Sequence, residues 1–282
     1  MLSHRKALVM AHIAAVLFGL TGIFGALITT SAEMITFGRA LFAVAGLMLI
    51  ILIQKKSFIA GITRFTGFML LLAGALLALH WVTFFVAVKV GGVAVATLGF
   101  ASFPAFITLV DWIIFKEKIT QREWILLLMV TIGLVLVTPE FNFEDHGTIG
   151  LLWGILSGFS FALLAVTNKR GIKGVEAMQV AFWQNMVVML LLIPFAITGI
   201  WVVSTLNWFY LALLGIFCTG LSHYLFVRSL EHLNARIAGM IIALEPVYAI
   251  LGAWILFAAV PTLGMVLGGL IMIFAIILAS RT

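Results

Sequence analysis

A chain of 282 residues that is 64% hydrophobic and only 9% charged, with a mean hydropathy of +1.27, lies far outside the soluble globular range, where charged residues make up about a quarter. That composition excludes a soluble enzyme or binding module and points to an integral membrane protein. The net charge of +6 and pI near 9.8 come from small basic clusters at helix ends and not from one patch, so they argue for a topology signal and against a nucleic-acid partner. A single cysteine, Cys218, rules out an internal disulfide and any multi-cysteine metal site, and inside an apolar run it is expected to be a small buried hydrophobe.

The chain begins MLSHRK before an apolar run of about 23 residues, too long for a cleaved signal and expected to be a retained first helix. Most apolar runs that follow are about 18 to 25 residues, which at 1.5 Å per residue matches a hydrocarbon core of roughly 30 Å and favours helices over barrel strands. In chain order the predicted spans are Ala7 to Thr29, Ile35 to Ile53, Phe65 to Val88, Gly92 to Phe115, Gln121 to Thr138, Ile149 to Thr167, Ala177 to Ile200, Trp208 to Leu230, Ala235 to Ala259 and Thr262 to Ser280. The predicted fold class is an all-α membrane protein of ten transmembrane helices. With the first end assigned to the cytoplasm, fourteen of the sixteen Lys and Arg fall inside; Lys89 lies at an outer helix end and Arg39 within the second span. Glu33, Glu140, Glu144 and Asp145 fall outside, so both termini are expected to be cytoplasmic. Trp124, Trp153, Trp201 and Trp208 sit near span ends, as an interfacial belt requires.

Sliding the chain against itself by 142 residues pairs Pro104 with Pro246, Trp112 with Trp254, Phe84 with Phe226, Phe115 with Phe257 and Thr120 with Thr262. Two five-helix repeats are expected, residues 1–140 and 147–282. Because five is odd, the second must enter the membrane from the opposite side. Inverted repeats of this kind build secondary transporters, in which the substrate site lies near the midplane and one half rocks against the other.

Paired proline-interrupted spans mark the site in such repeats. Pro104 and Pro246 are that pair, and the offset sets Phe103 opposite Glu245. An ionised carboxylate at the bilayer centre costs about 2.5–3.5 kcal/mol on insertion scales, so an acid held there has a task or a partner. Glu245 is therefore the candidate coupling residue, exchanging protons or meeting a cationic substrate group; the alternative is a structural acid bonded to carbonyls freed at the Pro246 kink. His80 and Trp81 align with Ser222 and His223, so paired positions converge on one cavity; packing alone is the competing role for His80 and His223. His80 shares a helix face with Phe84, and Trp81 with Phe85. Tyr224 and Tyr248 combine an aromatic body with a hydroxyl, which suits amphiphilic small molecules. The candidate substrate-binding set is thus Glu245, His80, Trp81, Phe84, Phe103, His223, Tyr224 and Tyr248.

Other polar positions have plainer expectations. Arg39 is expected to snorkel from the outer end of its span as an anchor or in an interhelical ion pair, with substrate contact the lesser reading. Asp111 is expected to pair locally with Lys116 or Lys118, or to act in a gate. Gln184 and Asn185 are expected to bond neighbouring helices, and Gly19, Gly22 and Gly25 to allow close helix packing. The chain has no HExxH pair, Walker A loop, G-x-S-x-G elbow or carboxylate-rich cluster, so no enzyme activity, cofactor or metal is expected.

Together these residues resemble the drug/metabolite transporter superfamily, EamA type. The resemblance rests on Phe18 and Gly19 in the first span, Arg39 opening the second, Pro104 amid small and aromatic residues, Glu117 to Thr120 after it, and Glu245 to Val247 in the ninth. The second half departs where Ala259 stands in place of Glu117. The resemblance implies a basket-like bundle with a central cavity lined mainly by spans 1, 3, 4, 6, 8 and 9. The function expected is secondary transport across the inner membrane, exporting amino acids or related amphiphilic metabolites. Its partners would be a small-molecule substrate, protons and membrane lipids, with a monomer one admissible state; an uncoupled facilitator is the alternative. A membrane-embedded enzyme acting on lipid-linked substrates and a non-transporting scaffold or sensor are the readings from other classes.

Overall fold

The computed structural model describes residues 4–137, 144–229, 233, 241 and 244–279, and every regular element among them is helical. In chain order these are α1 (His4–Leu27), α2 (Ala32–Ile53), α3 (Arg64–Phe100), α4 (Phe103–Phe115), α5 (Gln121–Val137), α6 (His146–Gly171) and α7 (Ala177–Ala196). A 3-10 turn (Ile200–Val202) leads to α8 (Thr205–Gly215), a π-helical segment (Ile216–Leu221), α9 (Ser222–Ser229), α10 (Glu245–Phe257) and α11 (Leu263–Ala279). Six of these stretches are long and apolar enough to cross a membrane: Arg5–Leu27, Ala32–Ile53, Arg64–Phe100, His146–Gly171, Ala177–Ala196 and Thr205–Phe226. Shorter apolar helices occupy Phe103–Phe115, Glu123–Leu136, Glu245–Phe257 and Leu263–Ala275. Thr138, Glu140, Leu230, Ala235, Arg236, Ser280 and Arg281, which carry several predicted span ends and part of the charge asymmetry, lie outside the described residues.

Four helix starts are capped by side chains of the residues just before them. Ser31 accepts from the Met34 amide, Asp145 from Thr148 and Ser204 from Asn207, and Thr63 with Thr66 forms a capping box.

The predicted fourth span, continuous from Gly92 to Phe115, is corrected. Helical structure carries on from the third span through a kink at Gly92 (φ 81°, ψ 170°), a backbone conformation open to glycine, and stops at Phe100. After Ala101 and Ser102 a new helix begins at Phe103, with Pro104 in its first turn, where a missing N–H costs nothing. Pro246 has the same place at the start of α10. Each proline thus opens a helix and does not kink one.

The 142-residue offset recurs in the backbone. Shifted by that amount, the bounds of α4 become those of α10 and the bounds of α5 those of α11, and the left-handed C-caps Lys116 and Ala258 coincide. Packing follows the same exchange. α3 lies on α6 as α8 and α9 do on α1; α4 lies on α6 as α10 does on α1; α2 packs on its counterpart α7, and α5 on α11.

Glycines set the closest approaches. In the α3–α6 interface a Cβ on Gly150 would stand 2.4 Å from the Gly91 Cα, and one on Gly99 would stand 3.0 Å from the Gly154 Cα. The expected close packing of α1 holds too: Gly19 faces the backbone of α10, Gly22 faces Val93 and Gly25 faces Phe85. Cys218 is fully buried in the main apolar cluster.

Candidate substrate site

Arg39 is the first departure from expectation at the site. It does not snorkel: it is 4% exposed, and its guanidinium carbon lies 3.9 Å from the Trp81 ring centroid and 6.0 Å from that of Phe85. Nε donates to Thr219 Oγ1 at 2.6 Å. The π-helical segment makes this contact possible by putting Thr219 in a widened turn, where its hydroxyl donates to the Leu214 carbonyl at 3.0 Å. Gly215 lets the same segment close on α2, since a Cβ there would stand 2.6 Å from the Arg39 carbonyl oxygen. No carboxylate among the described residues is within ion-pair distance of Arg39, so the expected interhelical salt bridge is not found among them.

Glu245 opens α10 and is partly buried. No hydrogen bond or ion pair joins its carboxylate to another described residue, yet it interacts through space with Arg39. α1 passes against this point because Gly19 has no side chain: a Cβ there would stand 3.1 Å from the Glu245 carbonyl oxygen and 2.9 Å from the Tyr248 Cβ. One turn along α10, the Tyr248 hydroxyl is 3.4 Å from His12 Nδ1 of α1. His12 was not singled out from the sequence; its spacing of seven from Gly19, two turns on one helix face, was the available signal.

At the matching break of the first half the surroundings differ. Phe103 stacks on Phe100 at 5.1 Å and meets Phe161 edge-on at 5.1 Å. His80 joins this cluster, 5.0 Å from both Phe100 and Phe161 and 6.4 Å from Phe84. His80 Nδ1 is hydrogen-bonded to Ser157 Oγ at 2.8 Å, and that hydroxyl donates back to the His80 carbonyl at 3.0 Å. Phe161 and Gly19 are separated by the repeat offset. One break is therefore covered by an aromatic ring, and the other is met by the α1 backbone at Gly19, beside a carboxylate.

The predicted residues thus fall into separate groups. His80, Phe84 and Phe103 share an aromatic cluster, Trp81 carries Arg39, Glu245 and Tyr248 lie together against α1, and His223 and Tyr224 are exposed on α9. Two plainer expectations are also revised. Asp111 pairs across helices with Arg170 at 2.7 Å and not with its neighbouring lysines, while Glu117 binds the same Arg170. Gln184 does bridge α7 to α6 through Asn168 at 2.7 Å, but the Asn185 amide donates to the Ala181 carbonyl of its own helix and its Oδ1 has no partner among the described residues. An apolar cavity of about 300 Å³ lies between α3, α4 and α6, lined by Met69, Val110, Phe115 and Arg170; Glu245 is not part of its lining.

The model of the EamA-like transporter family matches residues 5–138 and, a second time, residues 148–281. The chain belongs to this family. Its relatives are named as transporters. It is 25% identical over 253 residues to the pseudopaline exporter CntI of Pseudomonas aeruginosa strain UCBPP-PA14, covering 89% of this chain and 87% of that one. It is 26% identical over 208 residues to the S-adenosylmethionine uptake transporter of Rickettsia bellii, covering 73% and 70%. The fold is also that of a crystal structure with a TM-score of 0.69 at 17% identity, covering 98% of this chain and 97% of that one. The chain is thus a multi-pass membrane protein of a transporter family.

Proposed function

We propose that this protein is a secondary transporter of the cytoplasmic membrane that exports amino acids or related small amphiphilic metabolites by alternating access, with both termini in the cytoplasm. Residues 1–140 and 147–282 act as two five-helix repeats of inverted topology. The exchange of packing partners at the 142-residue offset supports that organisation, because an odd number of spans per half turns such an exchange into an axis in the membrane plane. The single observation that carries the reading is Glu245, an acid without a partner among the described residues, at a helix break where α1 is held close by Gly19. An acid in that setting serves as a coupling or cation-recognising group. Trp81, Phe103, Tyr248, His223 and Tyr224 contribute aromatic surface along the path, with His80 and Phe84 packed behind it.

The relatives' names support transport of small molecules in either direction, one being an exporter and one an uptake transporter. Export is favoured here by the relative that is covered over most of its length. The test is flux of a panel of amino acids and amines in proteoliposomes, with and without an imposed pH gradient, beside Glu245→Gln. Flux that needs the gradient in the wild type and is lost in the variant is the expected result. Wild-type flux indifferent to the gradient would make the protein an uncoupled facilitator.

A further inference from the structure

We propose that Arg39, held on Trp81, is the anion-binding half of the substrate site, so that the molecules carried are zwitterions bridging Arg39 and Glu245. This rests on the transport reading above and names its substrate class. A buried guanidinium is costly unless it is paired, and a carboxylate within ion-pair reach is the usual partner. Arg39 has none among the described residues, although the fold has gone to some length to fix its position. The ring of Trp81 lies under its plane, Thr219 takes its Nε, and both the π-helical segment and Gly215 serve to bring Thr219 there. Such fixing would be of no use to an anchor, which needs only reach.

What the arrangement leaves free is the outer fork. Neither Nη group has a hydrogen-bond partner among the described residues, and neither is among the buried polar atoms sealed off without one. A planar fork with Nε already occupied matches the two oxygens of a carboxylate. Glu245 is close enough to interact with Arg39 through space but not in contact with it. Opposite charges that are near, unpaired and on different helices, α2 and α10, are complementary to a molecule that carries both signs a few bonds apart, as an α-amino acid does. Substrate would then join two helices between which this pair makes no direct polar contact.

The experiment uses the full chain in proteoliposomes, where wild-type flux is measured alongside displacement of bound labelled leucine, in wild type and variants, by three compounds with the same side chain: leucine, leucine amide, which lacks the anion, and N-acetylleucine, which lacks the cation. The phenylalanine and lysine series are run in parallel. In the wild type the zwitterion is expected to compete at least about tenfold better than either analogue, the scale of a charge-assisted hydrogen bond in a dry site. Arg39→Gln should bring amino acid and amide to within about twofold while keeping the preference over the N-acetyl compound, and Glu245→Gln should do the reverse. Arg39→Lys, which keeps the charge but loses the fork and the stacking face, should fall between. Wild-type protein that takes amide and amino acid equally overturns the proposal even if Arg39→Gln does not fold, as does an Arg39→Gln protein that weakens all three compounds alike. Wild-type protein that moves none of the three series overturns the transport reading for amino acids, and this inference with it.

Discussion

Arg170, in the last turn of α6, donates to Asp111 Oδ1 of α4 at 2.7 Å, binds Glu117 just beyond α4, and lies 3.7 Å from the Phe115 ring centroid. The positions related to it by the repeat offset carry no such charges: Ile28 stands for Arg170, Ala253 for Asp111 and Ala259 for Glu117. There the Ile28 carbonyl accepts from Lys89 instead. The ionic clasp is therefore on one end of the bundle.

Arg170→Ala is expected to loosen that end with little effect on overall stability, since a partly exposed ion pair contributes no more than about 1 kcal/mol. A cysteine placed at Leu163, in the adjoining cavity, in a Cys218→Ser background should react with a small maleimide about fivefold faster once the clasp is gone, the population shift that about 1 kcal/mol produces. Unchanged labelling would show that the clasp holds no gate.

Glu245→Gln preserves shape and removes the charge. It is expected to lower gradient-driven flux by at least about tenfold while leaving the purified protein monodisperse, because the carboxylate makes no bond to a described residue whose loss would unsettle the fold. Flux and size-exclusion profile, measured on the same preparation, check both halves of this expectation.

Gly150→Val should be among the most damaging substitutions outside the site. Its first added carbon would already stand 2.4 Å from the Gly91 Cα, backbone against backbone, so α3 and α6 must separate at a cost of about 1–3 kcal/mol or more. Gly46→Ala in α2 is the contrast, with nothing within 4 Å of the new carbon and a helix that gains about 0.5–1 kcal/mol from losing a glycine. Thermal unfolding midpoints in detergent should fall for the first and hold or rise for the second.

Ser157→Ala takes away the hydroxyl that both meets His80 Nδ1 and donates to the His80 carbonyl. The expected loss is about 1–3 kcal/mol of stability, with the order of preference among substrates unchanged, because His80 is 7% exposed and enclosed by Phe84, Phe100 and Phe161. A changed substrate preference, read in the competition assay, would place His80 in contact with the cargo.

Much of the framework was legible in the chain. Apolar run length located the long helices, and Pro104 and Pro246 marked the two interruptions, although the sequence sets both inside longer spans and only the structure shows helices beginning at Phe103 and Glu245. The same offset that pairs the two prolines also superposes the bounds of those helices. Glu245 stood out as an acid in an apolar run. The partners of the polar groups were not legible. From its place near a span end Arg39 reads as a snorkelling anchor or an ion-pair partner, and Asp111 as a local partner of its neighbouring lysines or a gate element, because only local neighbours can be seen in one dimension.

The reason is physical. In a bilayer each helix must satisfy its own backbone, so where a span lies and where it breaks are local properties, carried by run length, glycine and proline. Which side chains meet is decided between helices, by contacts such as Arg39 to Thr219, 180 residues apart, and Lys56 to Glu176, 120 residues apart. Those meetings depend on how closely two backbones approach and how each helix is rotated, quantities set by Gly19, Gly150 and Gly215 acting together with everything packed around them. The long spans could be read from the apolar runs, but that Arg39 and Glu245, unpaired among the described residues, act on each other through space was decided only when the helices were brought together.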